Sequence, residues 1–177
     1  MSFGQVKSGI LDFNAYQDSR SYKELTINCN TNWENGWQYF SLSNFTGKAN
    51  SSDLSSFYTE QNIRKQIGHT ALQITNQNVF KTGLDNDIYR LGFRWIVSQS
   101  FADYFSKIKL FFSINPFLAE YDGVKGLGSM RAVEYVYNLL LWKEKIFLSG
   151  FADQISRIKN GEMNLNWVTE HQLAYRV

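Results

Sequence analysis

Residues 22–45 read YKELTINCNTNWENGWQYFSLSNF, and this stretch decides the fold class. Its first half alternates polar residues with Leu25, Ile27 and Cys29. A period of two residues is typical of a β-strand that has one dry and one wet face. An Asn-Gly pair follows at 35–36, and it is a strong hairpin signal because both residues tolerate positive φ angles. The sequence therefore predicts two antiparallel strands joined by a tight turn.

The expected hairpin assigns side chains to its two faces. A two-residue turn pairs Glu34 with Trp37 and therefore Thr31 with Phe40. This register predicts that Phe40 and Leu42 lie on the apolar face of the hairpin. We expect the other face to be lined by asparagine side chains and hydroxyl groups.

Alternation recurs along the rest of the chain and indicates about ten strands. Beyond the hairpin, strands are predicted at 71–75, 88–97, 106–114, 133–141, 146–153 and 167–177. Pro116 is expected to end the strand at 106–114. Polar or glycine-rich loops are predicted at 47–54, 83–87 and 121–129. Segments 54–67 and 130–142 fit either a strand or the apolar stripe of a helix, so both alternatives stay open there.

Composition excludes several classes of protein. One cysteine among 177 residues permits no internal disulfide, and a net charge of +2 gives no basic face for nucleic acid. No apolar run is long enough for a transmembrane helix, and no signal-peptide pattern begins the chain. Aromatic residues make up 16% and there is a single proline, which fits a soluble β-barrel or sandwich and also a transmembrane β-barrel. We expect one β-barrel domain over residues 1–177.

Charged and aromatic residues on the wet faces of the strands are the candidate site. Acids and bases are mixed there, whereas a small soluble barrel is filled with apolar side chains. Such a face suits a water-filled lumen and favours neutral polar solutes over ions of either sign. The candidate ligand-binding residues are Glu60, Arg64, Arg90, Arg94, Lys107, Lys109, Phe111, Glu134, Phe147, Phe151, Asp153, Glu170 and Gln172. The alternative is that these charges only hold the wall together as ion pairs.

The opposite faces carry Leu, Ile, Phe and Val, which would form a lipid-facing band in a transmembrane barrel. Aromatic residues expected at the membrane interfaces are Trp33, Trp37, Tyr39, Trp95, Trp142 and Trp167. The leading prediction is therefore an antiparallel up-and-down transmembrane β-barrel. The alternative is a soluble β-barrel or sandwich that acts as a small-ligand-binding module, with its charged face in bulk water.

Several segments together resemble a known family. The matching segments are 11–13 (LDF), 33–45 (WENGWQYFSLSNF), 57–64 (FYTEQNIR), 90–95 (RLGFRW), 150–154 (GFADQ) and 169–173 (TEHQL). They resemble the Tsx-like nucleoside-specific channel-forming proteins of bacterial outer membranes. The resemblance implies a monomeric barrel of about twelve strands that passes nucleosides by diffusion through weak sites. Family members carry a signal peptide and two closing strands, so the chain is expected to be a member truncated at its C-terminus.

The resemblance assigns modest chemistry to the candidate residues. Arginines and lysines would donate to ribose or base oxygens, and acids would accept from ribose hydroxyls. The phenylalanines at 111, 147 and 151 would stack on bases. Each contact must be weak, because a solute that binds tightly does not leave the pore.

No residue pattern indicates an enzyme. His69 and His171 have no neighbouring ligands at metal spacing, and Cys29 falls on the apolar face of its strand. Nothing in the sequence brings Glu60 and Glu170 together as paired catalytic carboxylates. We therefore expect a channel in the bacterial outer membrane without catalysis, metal or cofactor, whose partners are small polar solutes and membrane lipid.

Overall fold

The computed structural model describes residues 4–17, 22–48, 53–83, 87–123, 126–128, 131–159 and 162–175. It is an all-β chain whose strands are β1 (Val6–Gln17), β2 (Tyr22–Trp33), β3 (Trp37–Lys48), β4 (Ser56–Gln66), β5 (Leu72–Lys81), β6 (Ile88–Trp95), β7 (Leu110–Asp122), β8 (Gly126–Gly128), β9 (Arg131–Leu141), β10 (Ile146–Lys159) and β11 (Glu162–Tyr175). Two short helices, α1 (Val97–Ser100) and α2 (Ala102–Ile108), lie between β6 and β7, and a 3₁₀ turn spans Trp142–Glu144.

Ten of these strands follow one another in chain order within a single antiparallel sheet, and β8 pairs with β7 outside that path. This up-and-down order confirms the predicted all-β class and the predicted number of about ten strands. For segments 54–67 and 130–142, which fitted either a strand or a helix, the structure shows the strands β4 and β9. The predicted loops at 47–54, 83–87 and 121–129 lie partly outside the described residues, as do residue 130 and the end of the predicted last strand. Where they are described, β3 continues to Lys48, β7 to Asp122 and β8 spans Gly126–Gly128, so the loops predicted at 47–54 and 121–129 are wrong at those positions.

The chain divides into two compact units. Unit 1 comprises Met1–Lys65, Thr75–Arg90 and Tyr121–Gly128, and unit 2 comprises Gln66–Ile74, Leu91–Glu120 and Ser129–Val177.

In unit 1 the hairpin register differs from the predicted one. Thr31 pairs with Tyr39, not with Phe40, because the loop has three residues and not two. The Gly36 N–H donates to the Trp33 carbonyl at 3.0 Å, and Gly36 has a φ of 81° in the left-handed region. A type I turn followed by a left-handed glycine closes a three-residue loop. The predicted positions of Phe40 and Leu42 on the apolar face are therefore wrong, since a shift of one residue reverses the faces of a strand.

In unit 2 the strand predicted at 106–114 is wrong over its first four residues. Residues 102–108 form α2, Lys109 ends the helix with a φ of 51°, and β7 begins only at Leu110. Val97, Phe101, Phe105 and Ile108 recur at intervals of three or four residues, which is a helical period.

The expected end at Pro116 is also wrong, because β7 continues to Asp122. Pro116 pairs with Val133 of β9 within the strand. On the other side, a Cβ on Gly92 would clash with the Pro116 carbonyl oxygen. The glycine therefore permits a close approach of two backbones at the proline.

Burial on the strands runs opposite to that of an ordinary water-soluble sheet. In unit 1 Asn62 is completely buried, and its neighbour Ile63 is exposed. In unit 2 Gln73 is buried between exposed Leu72 and Ile74. Among the residues that the structure describes, Phe117 and Ala132 form a small buried apolar group, against which Ile155 packs. No helix among the described residues is both long enough and apolar enough to cross a membrane.

Candidate functional site

The polar face of unit 1 is defined by the register of β3 with β4. Leu42 pairs with Glu60, Phe40 with Asn62, and Gln38 with Arg64, so these side chains share one face of the sheet. Three of the candidate residues, Glu60, Arg64 and Arg90, belong to this unit.

Glu60 is the centre of a hydrogen-bonded group that we call the Glu60 cluster, formed by Tyr58, Glu60, Asn62, Gln77 and Arg90. The carboxylate accepts from Asn62 Nδ2 at 2.6 Å and from Gln77 Nε2 at 2.9 Å through Oε1. Its Oε2 accepts from the Tyr58 hydroxyl at 3.3 Å. Gln77 Oε1 in turn accepts from Arg90 Nη1 at 2.8 Å. One amide side chain therefore links the acid to the base.

Burial sets the energetics of the Glu60 cluster. Asn62, Gln77 and Arg90 are all buried, and Glu60 is half-buried. Buried polar groups are tolerated only when hydrogen-bonded, and bonds to charged groups are stronger than neutral ones. The Asn62 Oδ1 atom has no hydrogen-bond partner. Little of the Glu60 cluster is therefore reachable from solvent.

Arg64 lies beside an aromatic ring that the sequence placed on the other face. Its guanidinium carbon is 5.8 Å from the centre of the Phe40 ring, within cation–π range. Both side chains are half-buried, so each keeps some exposed surface. The sequence analysis missed Phe40 as a candidate because of the register error in the hairpin.

Amide and hydroxyl side chains of β1 and β2 extend this face. Asp12 Oδ2 accepts from Asn14 Nδ2 at 2.6 Å and from Asn28 Nδ2 at 3.4 Å. Asn32 Nδ2 donates to Ser8 Oγ at 3.1 Å. The sequence analysis omitted β1, although Leu11 and Phe13 alternate with Asp12 and would have signalled it.

The polar face of unit 2 holds a second group around Arg94. Its Nε donates to Ser113 Oγ at 3.3 Å, and its guanidinium lies 5.5 Å from the centre of the Phe111 ring. Further along β7, Asn115 Nδ2 donates to Glu134 Oε2. Ser113, Asn115 and Glu134 are buried, whereas Phe111 is exposed. Arg94 and Phe111 are therefore the accessible part of this group.

The remaining candidates of β10 and β11 share this face of unit 2. The register pairs Glu134 with Asp153, and Phe151 with Glu170. Phe147 and Gln172 follow the same alternation on their strands. Phe147, Phe151 and Asp153 of β10 are half-buried, whereas Glu170 and Gln172 of β11 are exposed.

Two candidates do not belong to this face. Lys107 lies on α2 and is exposed. Lys109 follows the helix, and its Nζ forms a salt bridge with Glu144 Oε1 at 2.6 Å. Both lysines were assigned to a strand because the helical period at 97–108 was not recognised, and that assignment is wrong.

Among the residues that the structure describes, no three side chains of His, Cys, Asp or Glu are grouped so that they could hold a metal ion. Comparisons of the chain with protein-family models, curated proteins and solved structures find no match. The arguments for function therefore rest on the two polar faces and on the exposed apolar side chains.

Proposed function

We propose that the chain forms an outer-membrane β-barrel channel for passive diffusion of small polar solutes, with nucleosides as the expected solutes. The observation that carries this proposal is the inverted burial of the strands, in which amides and charges are buried and large apolar side chains are exposed.

Water disfavours such an arrangement. Burying apolar surface lowers the free energy by about 25 cal/mol for each Å² removed from water, and exposed side chains lack this stabilisation. Soluble antiparallel sheets therefore turn their apolar face towards the core and their polar face towards solvent. Leu11, Phe13, Leu91 and Leu173 are all exposed on strands. Lipid is the solvent in which these side chains are favoured, and a barrel wall satisfies its backbone groups between strands.

Accessible residues of the polar faces supply the proposed solute contacts. Arg64 with Phe40 in unit 1, and Arg94 with Phe111 in unit 2, each place a guanidinium beside an aromatic ring. A flat base can stack on a ring while the guanidinium donates to its oxygens. The buried Glu60 cluster has a different role in this proposal, since it stabilises the wall and does not touch the solute.

Planar-bilayer recording of the full chain tests the proposal. Discrete conductance is expected, and it should be partly blocked by nucleosides and not by sugars of similar size. Equal passage of both solutes would remove the nucleoside specificity and leave a general channel. A chain that is monodisperse in buffer without detergent, and that forms no conductance, would overturn the channel in favour of a soluble ligand-binding module.

A further inference from the structure

Unit 2 carries a group of large exposed side chains outside the polar face, which we call the aromatic patch: Trp95, Phe101, Tyr104, Ile108 and Trp142. Tyr104 is 64% exposed and Trp142 is 62% exposed, and the other three are also exposed. Three of the five belong to the helical segment between β6 and β7. The sequence analysis expected Trp95 and Trp142 at a membrane interface, but it predicted no helix at 97–108 and so did not group them with Phe101, Tyr104 and Ile108.

The patch is ordered by contacts within unit 2. The rings of Trp95 and Phe101 have centres 6.4 Å apart, and Trp95 Nε1 donates to Ser100 Oγ at 2.7 Å. The Trp142 ring stacks on Tyr175 with centres 6.2 Å apart. The side chains thus expose their apolar surfaces in fixed positions.

The helical segment is attached to the turn after β9 by polar and apolar contacts. Lys109 forms its salt bridge with Glu144 in the 3₁₀ turn, and the Leu140 N–H donates to the Lys109 carbonyl at 3.1 Å. A shallow cleft beneath the helix is lined by Phe105, Leu110 and Leu140, among others. α2 and the 3₁₀ turn therefore form one continuous surface.

The chemistry of this surface matches the boundary between lipid headgroups and acyl chains. Tryptophan and tyrosine concentrate at that boundary because their rings are apolar at one end and polar at the other. Three exposed lysines, Lys107, Lys143 and Lys145, belong to the helical segment and the turn that carry the patch. Glu144 is paired with Lys109, which leaves Asp103 as the other acid there, so positive charges outnumber negative ones. Lysines extend towards the headgroups, and a surplus of positive charge is attracted to anionic lipid.

We propose that the aromatic patch inserts into the headgroup region of the bilayer and anchors the β6–β7 connection there. The inference rests on the proposed membrane location of the strands, and it adds a contact that a spanning barrel does not require. The partner of the aromatic patch is a lipid surface and not a second copy of the chain.

Spin labelling tests this anchor, because Cys29 is the only cysteine and Cys29→Ser gives a clean background. Nitroxides are attached to Tyr104→Cys, to Asp103→Cys as the control on the same helix, and to Leu91→Cys on an exposed strand position. The full chain is reconstituted in vesicles of phosphatidylethanolamine and phosphatidylglycerol. The ratio of collisions with oxygen to collisions with a water-soluble nickel chelate is expected to be severalfold higher at 104 than at 103.

The Leu91 label separates the two proposals. A lipid-exposed label at 91 together with equal ratios at 103 and 104 would overturn the anchor and leave the membrane barrel standing. Water-exposed labels at all three positions would overturn both. Spin–spin broadening at 104 would show that a second copy covers the patch, which also contradicts the anchor.

A paired substitution gives an independent measurement. Phe101→Ser with Tyr104→Ser is expected to lower the fraction of chain that floats with the same vesicles before full insertion, whereas Asp103→Ser should not lower it. Equal flotation of the two variants would contradict the anchor.

Discussion

The Tyr137 hydroxyl lies 2.7 Å from His171 Nδ1 although β10 separates their strands. Gly150 of β10 pairs with both residues, so the hydrogen bond passes over a position that has no side chain. A Cβ at Gly150 would come within 3.0 Å of His171 Nδ1 and would clash with the Glu170 carbonyl. The bond satisfies two polar side chains on the face opposite to the polar one, where a lipid environment would offer them no partner.

Gly150→Ala is therefore expected to destabilise the fold by about 1–3 kcal/mol, the range for inserting a methyl group into a filled space. Urea unfolding in detergent micelles measures the change. Gly9→Ala is the matched control, because a Cβ there meets nothing closer than 3.7 Å. Equal midpoints for the two variants would show that the space over Gly150 is not needed.

Gln77→Leu is expected to lower the stability of the fold more than the same change at an exposed amide. It removes the donor to Glu60 and the acceptor for Arg90, and a hydrogen bond to a charged group contributes about 1.5–3 kcal/mol. Asn30→Leu replaces an exposed amide of unit 1 and is the control. The melting temperatures of the two variants are measured by circular dichroism. Equal melting temperatures would show that the hydrogen bonds of Gln77 do not stabilise the fold.

Phe111→Leu is expected to weaken nucleoside block of the conductance without changing the conductance for small ions. A lost stacking contact is worth about 1–3 kcal/mol per base, which converts to about 5-fold to 150-fold weaker block. Phe93→Leu is the matched control, because Phe93 is 38% exposed, Phe111 is 37% exposed, and Phe93 lies on the opposite face of its strand. A similar loss of nucleoside block in both variants would contradict stacking on Phe111 and would indicate a general effect on folding.

The salt bridge between Lys109 and Glu144 should contribute less than about 1 kcal/mol, because both side chains are exposed and water screens them. A double-mutant cycle with Lys109→Ala and Glu144→Ala measures this coupling. The coupling should fall further in high salt. A coupling energy above about 1 kcal/mol that does not change with salt would contradict this expectation, because it would show that the pair is not screened by water.

Alternation was sufficient to predict the all-β class, the strand number and the common face of Glu134, Asp153 and Glu170. It could not determine the hairpin register, since Asn35-Gly36 is compatible with a loop of two or of three residues. It also failed between β6 and β7, where a helical period and a strand period overlap in the same apolar residues. Side-chain hydrogen bonds between neighbouring strands, such as those of Gln77 to Glu60 and Arg90, have no signature in a single sequence.

The three-residue loop at 34–36 also bears on how such a protein could diversify. Deleting one residue there would turn β3 over and carry Phe40 away from Arg64, while every residue of both strands stayed the same. A single codon lost in a turn could then alter which surfaces a solute encounters. In the proposed channel, selectivity would thus be open to change through loop length, without any substitution in the strands.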